Sequence, residues 1–151
     1  MAIVRTAGTE IIRTAHFEDI DDTREVLIFG VQHHIYTVLS VIAACTNLQT
    51  STNSCYLSIL GYDAKATTSQ SGQLVRIFGQ NVAAGSTFVW NDKFSFNGHE
   101  PVAFTGPIDS IVKQDAIADQ GSAVAQKLTF EGSQAADSFE VTVTYIDQNN
   151  A

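Results

Sequence analysis

Histidine side chains are the first residues of this 151-residue chain that could carry metal or acid–base chemistry. His33 and His34 are adjacent, and neighbours on a β-strand point to opposite faces, so regular strand geometry prevents the pair from chelating one metal ion. His16 and His99 are distant in sequence and lack the i, i+2 or i, i+4 spacing of a local site. We interpret His33-His34 as a loop or strand-edge pair, with a subunit contact as the alternative.

The densest acidic cluster consists of Glu18, Asp19, Asp21 and Asp22. Spaced carboxylates on a loop can hold calcium. This cluster lacks the glycine and the distal glutamate of a recognisable calcium loop. A solvated turn is therefore the preferred interpretation.

The chain has two cysteines, Cys45 and Cys55. Both lie in apolar segments, where a thiol is usually inert. They are equally distant from Thr50, so a hairpin centred there would place them opposite each other and make a cross-strand disulfide conceivable. In a reducing compartment two buried thiols are the expected state. The sequence leaves open whether they are bonded.

No combination of acid, base and nucleophile is recognisable. A Gly-x-Ser-x-Gly nucleophile elbow is missing, and the glycines do not form a phosphate-binding loop ahead of a helix. Asp109 and Asp115 could face a cleft, but nothing in the sequence selects them. We predict a non-enzymatic protein with no catalytic, cofactor-binding or metal-binding residues.

An aromatic patch surrounds one turn and contains Phe88, Trp90, Phe94 and Phe96. Its spacing predicts inward alternation on two hairpin strands, and therefore core packing. The alternative is a sugar-binding face, which would require Trp90, or tyrosines such as Tyr56 and Tyr62, to be exposed.

The composition limits the possible partners. Charged residues make up 16% of the chain, against roughly 25% in average soluble domains. The net charge of −8 argues against binding nucleic acid or anionic lipid. No apolar stretch resembling a secretory signal follows Arg5, so synthesis in a cytoplasm is expected. A surface so poor in charge must be covered by small polar side chains or by a partner.

Strand signals dominate the chain. The candidate strands are residues 2–6, 10–17, 24–29, 34–46, 54–62, 73–78, 87–90, 93–96, 101–104, 125–131 and 138–146. The best helical candidate, residues 110–118, is weak. Residues 34–46 are apolar on both faces, which predicts a central strand covered by the core on one side and by a neighbouring subunit on the other.

The last strand alternates almost without error. Phe139, Val141, Val143 and Tyr145 point one way, and Glu140, Thr142 and Thr144 point the other. Short strands with turn signals every few residues predict an all-β fold for residues 1–151. We expect a single-domain antiparallel β-sandwich, jelly-roll-like, with an immunoglobulin-like sandwich as the alternative.

Four segments suggest a family. They are residues 36–44 with an aliphatic-Ser-aliphatic block, the return strand 55–61, residues 82–94 with an Ala-Gly-Ser turn and a later Asn-Asp-Lys, and residues 141–147 ending in Tyr-Ile-Asp. Over residues 35–147 the chain resembles small β-sandwich virion structural proteins of tailed bacteriophages.

The resemblance implies a capsid decoration or cement protein that clamps neighbouring major capsid subunits in the virion. It also implies a homo-oligomer, with a trimer favoured, and no cofactor. A tail or neck component and a carbohydrate-binding adhesion module are the alternatives. Residues 1–22 are expected to be a partner-contacting arm or, alternatively, an ordinary edge strand.

Overall fold

The computed structural model describes residues 9–30, 34–60, 74–97 and 126–149. The strands in these ranges are β1 (Thr9–Ile20), β2 (Glu25–Phe29), β3 (His34–Asn47), β4 (Thr52–Leu60), β5 (Leu74–Ala83), β6 (Thr87–Trp90), β7 (Phe94–Asn97), β8 (Lys127–Gly132) and β9 (Ser138–Asn149). The described residues form no helix, and hence no helix that could span a membrane.

The strands form two antiparallel sheets packed as a sandwich. Sheet A has the order β1-β9-β3-β6, with β7 also paired to β3, and sheet B has the order β2-β8-β4-β5. If β6 and β7 are counted as one interrupted strand, this is the strand order of a jelly roll. In an immunoglobulin sandwich the first two strands share a sheet, whereas β1 and β2 belong to different sheets here. The predicted all-β sandwich is confirmed, in its jelly-roll form.

The alternation predicted for the last strand is confirmed in β9, which lies between β1 and β3. Phe139, Val141 and Val143 have no exposed surface. The Phe139 ring lies 5.5 Å from Phe130 of β8, so the core lies between the two sheets. Full burial of each such side chain contributes roughly 1.5–3 kcal/mol before entropic costs.

The acidic turn begins later than predicted. β1 continues through Glu18 and Asp19 to Ile20, and the chain turns at residues 21–24. Asp19 has a φ of 55°, and the pairing with β9 shifts register between Phe17 and Ile20. This bulge turns Ile20 into the core, where it is 4% exposed. Burial of Ile20 explains why the strand does not stop at the first acidic residue.

The two predicted hairpins are wrong. β3 belongs to sheet A and β4 to sheet B, so residues 48–51 cross between the sheets. β6 and β7 both run antiparallel to β3, with Val89 opposite Ile42 and Phe94 opposite Val38. Residues 91–93 therefore interrupt one edge strand without reversing it. The 14-residue β3 offers more edge than either four-residue strand can fill alone.

Four short connections lie at one end of the sandwich, which we call the short-loop end. They are residues 21–24, 48–51, 84–86 and 133–137. Gly85 has a φ of +81° in the third of these turns, a conformation that side chains with a Cβ rarely adopt. Residues 9–20 of the predicted arm form an edge strand, as the alternative expected. The strand predictions at 2–6 and 101–104 and the helical candidate 110–118 lie outside the described residues.

Candidate functional site

Hydroxyl groups cover the middle of the outward side of sheet A. Outward residues of β9 pair with outward residues of β1 and β3, since side chains alternate along each strand. The hydroxyl residues are Thr14, Thr37, Ser40, Ser95, Thr142 and Thr144. Thr144 lies between Thr14 and Ser40, and its Oγ1 is 3.3 Å from that of Thr14. The hydroxyl oxygens of Thr37 and Ser95 are 2.9 Å apart. Hydroxyl groups on neighbouring strands therefore satisfy part of each other's hydrogen-bonding capacity.

Aliphatic side chains flank these hydroxyls on the same side of the sheet. Ile12 is paired with Ile146, and Ile42 is paired with Val89. Ile12 is 69% exposed, Val89 52% and Ile42 40%. We call the outward hydroxyl residues together with these four aliphatic residues the uncharged face.

Among the paired outward residues of sheet A, formal charge is confined to the ends of the strands. Asp92 and Lys93, both exposed, lie in the interruption between β6 and β7 at the edge of the sheet. Glu10 stands at one end, opposite Gln148, and Glu140 stands near the other. His16 connects the face to Glu18, since its Nδ1 is 2.9 Å from Thr142 Oγ1 and its Nε2 is 3.6 Å from Glu18 Oε1. A centre without charge and a charged periphery is one feature that protein–protein contact surfaces share.

β3 runs through the uncharged face, as a central strand of sheet A. Its inward residues Val38 and Val41 are fully buried, whereas outward Ile35 and Ile42 are 36% and 40% exposed. The prediction that β3 is covered on both sides is thus met on the core side. Cover of the outward side by a neighbouring subunit stays a prediction.

A second polar group joins β1, β3 and β9 at the end opposite the short loops. The Asp147 carboxylate, 7% exposed, lies with Oδ1 2.5 Å from His34 Nδ1 and Oδ2 3.1 Å from Arg13 Nε. Burial raises the pKa of Tyr145, while Arg13 lowers it and Asp147 raises it. His16 lies on the outward side of sheet A, beside Thr142, whereas His34 contacts the buried Asp147, so the two described histidines do not come together. His33 and His99 lie outside the described residues.

Asp147 could have been found from the sequence. Every second side chain of β9 points inward, and Asp147 is the next such position after Val143 and Tyr145. A carboxylate at a buried position of a strand requires a charged or hydrogen-bonding partner. The position of that partner on β1, 134 residues earlier in the chain, depends on pairing that the sequence alone does not give.

The acidic residues of the predicted turn take different partners. Asp21 Oδ1 accepts a hydrogen bond from Thr23 N at 2.7 Å, and the hydrogen bonds from Thr23 lower the pKa of this exposed carboxyl. Asp19 Oδ1 accepts from Ser138 Oγ at 3.3 Å. Within the described ranges no three His, Cys, Asp or Glu side chains are grouped so that they could hold a metal ion. Asp109 and Asp115 lie outside those ranges.

Asp137 joins two short loops, and sequence reasoning missed it. The residue is 3% exposed. Its Oδ1 accepts from Gln49 N at 3.0 Å and Asn53 Nδ2 at 2.6 Å. Its Oδ2 accepts from Ser133 N at 3.3 Å and Gln134 N at 3.0 Å. The sequence does contain a feature from which this role could have been predicted: Asp137 directly precedes a core strand, where a carboxylate commonly accepts hydrogen bonds from the amides of a turn.

The two cysteines are free and buried, as expected. They lie on strands of different sheets and not opposite each other in a hairpin. Burial raises the pKa of Cys45, with a further increase from Asp137. Burial, then Cys45 and Asp137, raise the pKa of Cys55 to about 12. Both groups remain thiols at neutral pH, which makes them poor nucleophiles.

The predicted aromatic core is confirmed. Phe96 is buried, and Phe88, Trp90 and Phe94 pack against the core. Trp90 lies 5.6 Å from the Phe78 ring of sheet B, and its indole N–H has no hydrogen-bond partner among the described residues. Arg76 lies 3.8 Å above the half-buried Tyr56 ring. Neither ring forms an open platform for sugar stacking, and Tyr62 lies outside the described residues.

Comparison with known proteins finds a distant structural likeness to a pilus protein. No family model matches the chain, and no curated protein matches it. A solved structure described as "Bacillus endospore appendages form a novel family of disulfide-linked pili" has 12% sequence identity to it and a TM-score of 0.42. The alignment covers 100% of this chain and 97% of the other. A likeness of this size says nothing about function.

Proposed function

We propose that this chain is a non-enzymatic structural protein of a bacteriophage virion, a capsid decoration protein that clamps neighbouring major capsid subunits. The uncharged face is the observation that carries the proposal. A partner that covers this face buries no formal charge. Several of the hydroxyl groups on the face already have hydrogen-bond partners within the sheet. Its desolvation therefore costs far less than that of a charged surface.

Two further observations support the proposal. Jelly rolls are frequent in viral capsid proteins, although they also occur in lectins and enzymes, so the fold alone does not decide. The sequence of residues 35–147 resembles small virion proteins of tailed phages. The inward position of Trp90 disfavours the carbohydrate-binding alternative, because a stacking platform needs an open ring.

The mechanism follows from linkage. A protein that binds across a joint between shell subunits, and not to the free subunits, stabilises the shell by mass action. A homo-oligomer that contacts several subunits at once multiplies modest affinities through effective concentration. The trimer implied by the resemblance is one such assembly, and the virion is the proposed location.

Co-sedimentation with capsid shells tests the proposal. The purified protein should bind expanded shells of the encoding phage and should not bind the free capsid protein. A monomer with no affinity for shells would remove the proposal. Immunogold label at the portal vertex, in place of label across the head, would assign the protein to the neck or tail.

A further inference from the structure

We infer that the edge of β1 that faces away from β9, the outer edge of β1, is where an extended segment of the shell partner adds to sheet A as a further strand. The inference rests on the proposed function, because it names the main-chain contact through which this protein would hold a capsid subunit. Three properties of the described residues support it: the regularity of this edge, its backbone groups, and the distribution of charge along it.

The outer edge of β1 is the longest regular edge of either sheet within the described ranges. β1 pairs with β9 without a register shift from Thr9 to Phe17. The other edge strands are short or irregular. β2 has five residues and a register shift, β6 and β7 have four residues each, and the pairing of β5 shifts between Phe78 and Arg76. Proteins that prevent pairing at an edge shorten it, bulge it or place lysine and proline there, and β1 contains neither residue.

The backbone groups along this edge determine the kind of partner. β9 lies on one side of β1, and no described strand pairs with the other side. Every second residue of an antiparallel edge strand directs its N–H and C=O away from the sheet. Between Glu10 and Phe17 these donors and acceptors therefore repeat at about 6.8 Å. Another extended backbone has the same repeat, so an added strand satisfies the whole row and a compact ligand does not.

The side chains of β1 leave this edge accessible. Residues 10–14 are all exposed, and Ile12, at 69%, is the most exposed of the large apolar residues described. An added strand would lie beside Ile12 and Thr14 and would widen the uncharged face by about 4.8 Å. The edge contact is therefore continuous with the face that carries the proposed function.

The charges on β1 favour a segment of another protein over a second copy of this chain. Arg13 is the middle residue of the regular stretch, so pairing two β1 strands along its whole length would set two Arg13 side chains opposite each other. The net charge of −8 adds repulsion between copies. Arg13 already pairs with Asp147, and acidic side chains stand near both ends of β1, at Glu10 and Glu18. The matching segment is therefore uncharged in its centre and flanked by lysine or arginine.

Hydrogen exchange of the protein bound to expanded capsid shells tests the contact without any substitution. In the free protein about half of the amides of residues 10–17 should exchange rapidly, because they point away from β9. Shell binding should slow these amides at least about 10-fold. The amides of the β2 edge, Glu25–Phe29, are the internal control and should exchange equally fast in both states.

Proline substitution tests the same groups by affinity. Neighbouring N–H groups of a strand point to opposite edges, so one of Thr14→Pro and Ala15→Pro removes a hydrogen bond to β9 and the other removes a donor of the outer edge. The variant that keeps the wild-type circular dichroism spectrum and melting temperature identifies the outward position. It should bind shells at least about 10-fold more weakly. Thr14→Ser and Ala15→Ser keep the N–H groups and should bind as the wild type does.

The outcomes separate the inference from the proposed function. Shell binding that leaves the β1 amides rapid, or a folded outer-edge proline variant that binds shells as tightly as the wild type, would overturn the inference and leave the proposed function standing. Protection of β1 that rises with protein concentration in the absence of shells would assign the edge to a second copy and would also overturn the inference. A protein that binds no shells would overturn both.

Discussion

Replacement of Asp137 with alanine should remove the group that joins two loops at the short-loop end. The carboxylate is buried and accepts four hydrogen bonds, from Gln49 N, Asn53 Nδ2, Ser133 N and Gln134 N. Alanine accepts none of them. Gln49 belongs to the β3–β4 connection, Asn53 lies at the start of β4, and Ser133 and Gln134 belong to the β8–β9 connection. The substitution therefore separates Asp137 from segments that lie more than 80 residues earlier in the sequence.

The expected loss of stability follows from these contacts. A hydrogen bond to a charged group contributes about 1.5–3 kcal/mol, and a donor left buried without a partner costs about 1–3 kcal/mol. Some donors will reach water once the loops relax, so we expect a total loss of about 3–5 kcal/mol, as for one partner removed from a buried ionic network. In a chain of this size the melting temperature should fall by about 10 °C.

Urea unfolding followed by circular dichroism and Trp90 fluorescence measures the loss. Asp22→Ala is the control, since Asp22 is an exposed aspartate at the same end of the sandwich. It should change the free energy of unfolding by less than about 0.5 kcal/mol. Asp137→Asn keeps one acceptor oxygen and should lose less than the alanine variant.

A double-mutant cycle separates the hydrogen-bond network from simple loss of volume. Asn53→Ala alone should destabilise the protein by about 1–2 kcal/mol, because its amide donates to Asp137 at 2.6 Å. In the Asp137→Ala background the same change should cost about 1 kcal/mol less, and the cost that remains is the loss of the hydrogen bond that Thr50 Oγ1 donates to Asn53 Oδ1. A loss below about 1 kcal/mol for Asp137→Ala, or strictly additive single effects, would refute the reasoning.

Three smaller predictions concern glycine packing and the thiols. Gly132→Ala should lower stability by about 1–3 kcal/mol in thermal unfolding, because its Cβ would lie 3.0 Å from Phe139 Cε2 and 3.2 Å from the Asp21 carbonyl oxygen. An unchanged melting temperature would contradict this. Cys45 and Cys55 should react with a disulfide reagent at pH 8 only as fast as the protein unfolds, and a rapid reaction of the folded protein would show that a thiol is accessible. Because folding raises the pKa of Cys55 from 9.0 to about 12, its contribution to stability is present below pH 9 and is lost as the pH rises toward 12. Unfolding free energies of wild type and Cys55→Ala should therefore converge over this range, and parallel pH curves would refute the assignment.

The alternation of β9 could be predicted because the physical cause is local. Phe139, Val141 and Val143 occupy one phase of the strand, and a strand with one buried face needs no further information to orient them. Strand positions followed for the same reason in β3, β6 and β8. The position of β1 was predicted and its end was not, since the bulge at Asp19 depends on pairing with β9.

The connectivity could not be predicted because its cause is remote in sequence. Residues 48–51 could equally join two strands of one sheet or cross to the other sheet. β4 is held in sheet B by β8, with Leu57 opposite Phe130 some 70 residues later. Likewise, Asn91-Asp92 has the composition of a turn, but the chain does not reverse there because the unpaired half of β3 accepts β7.

The uncharged face needs a fixed register, and the Arg13–Asp147 ion pair supplies part of it. Thr144 and Asp147 lie on opposite sides of β9, as Thr14 and Arg13 do on β1. A slip of one residue between β1 and β9 would exchange the two sides of β1. Arg13 would then enter the uncharged face, and Asp147 would lose its partner in a buried site. Both consequences are unfavourable. The Arg13–Asp147 ion pair therefore helps to hold the register in which Arg13 stays off the uncharged face.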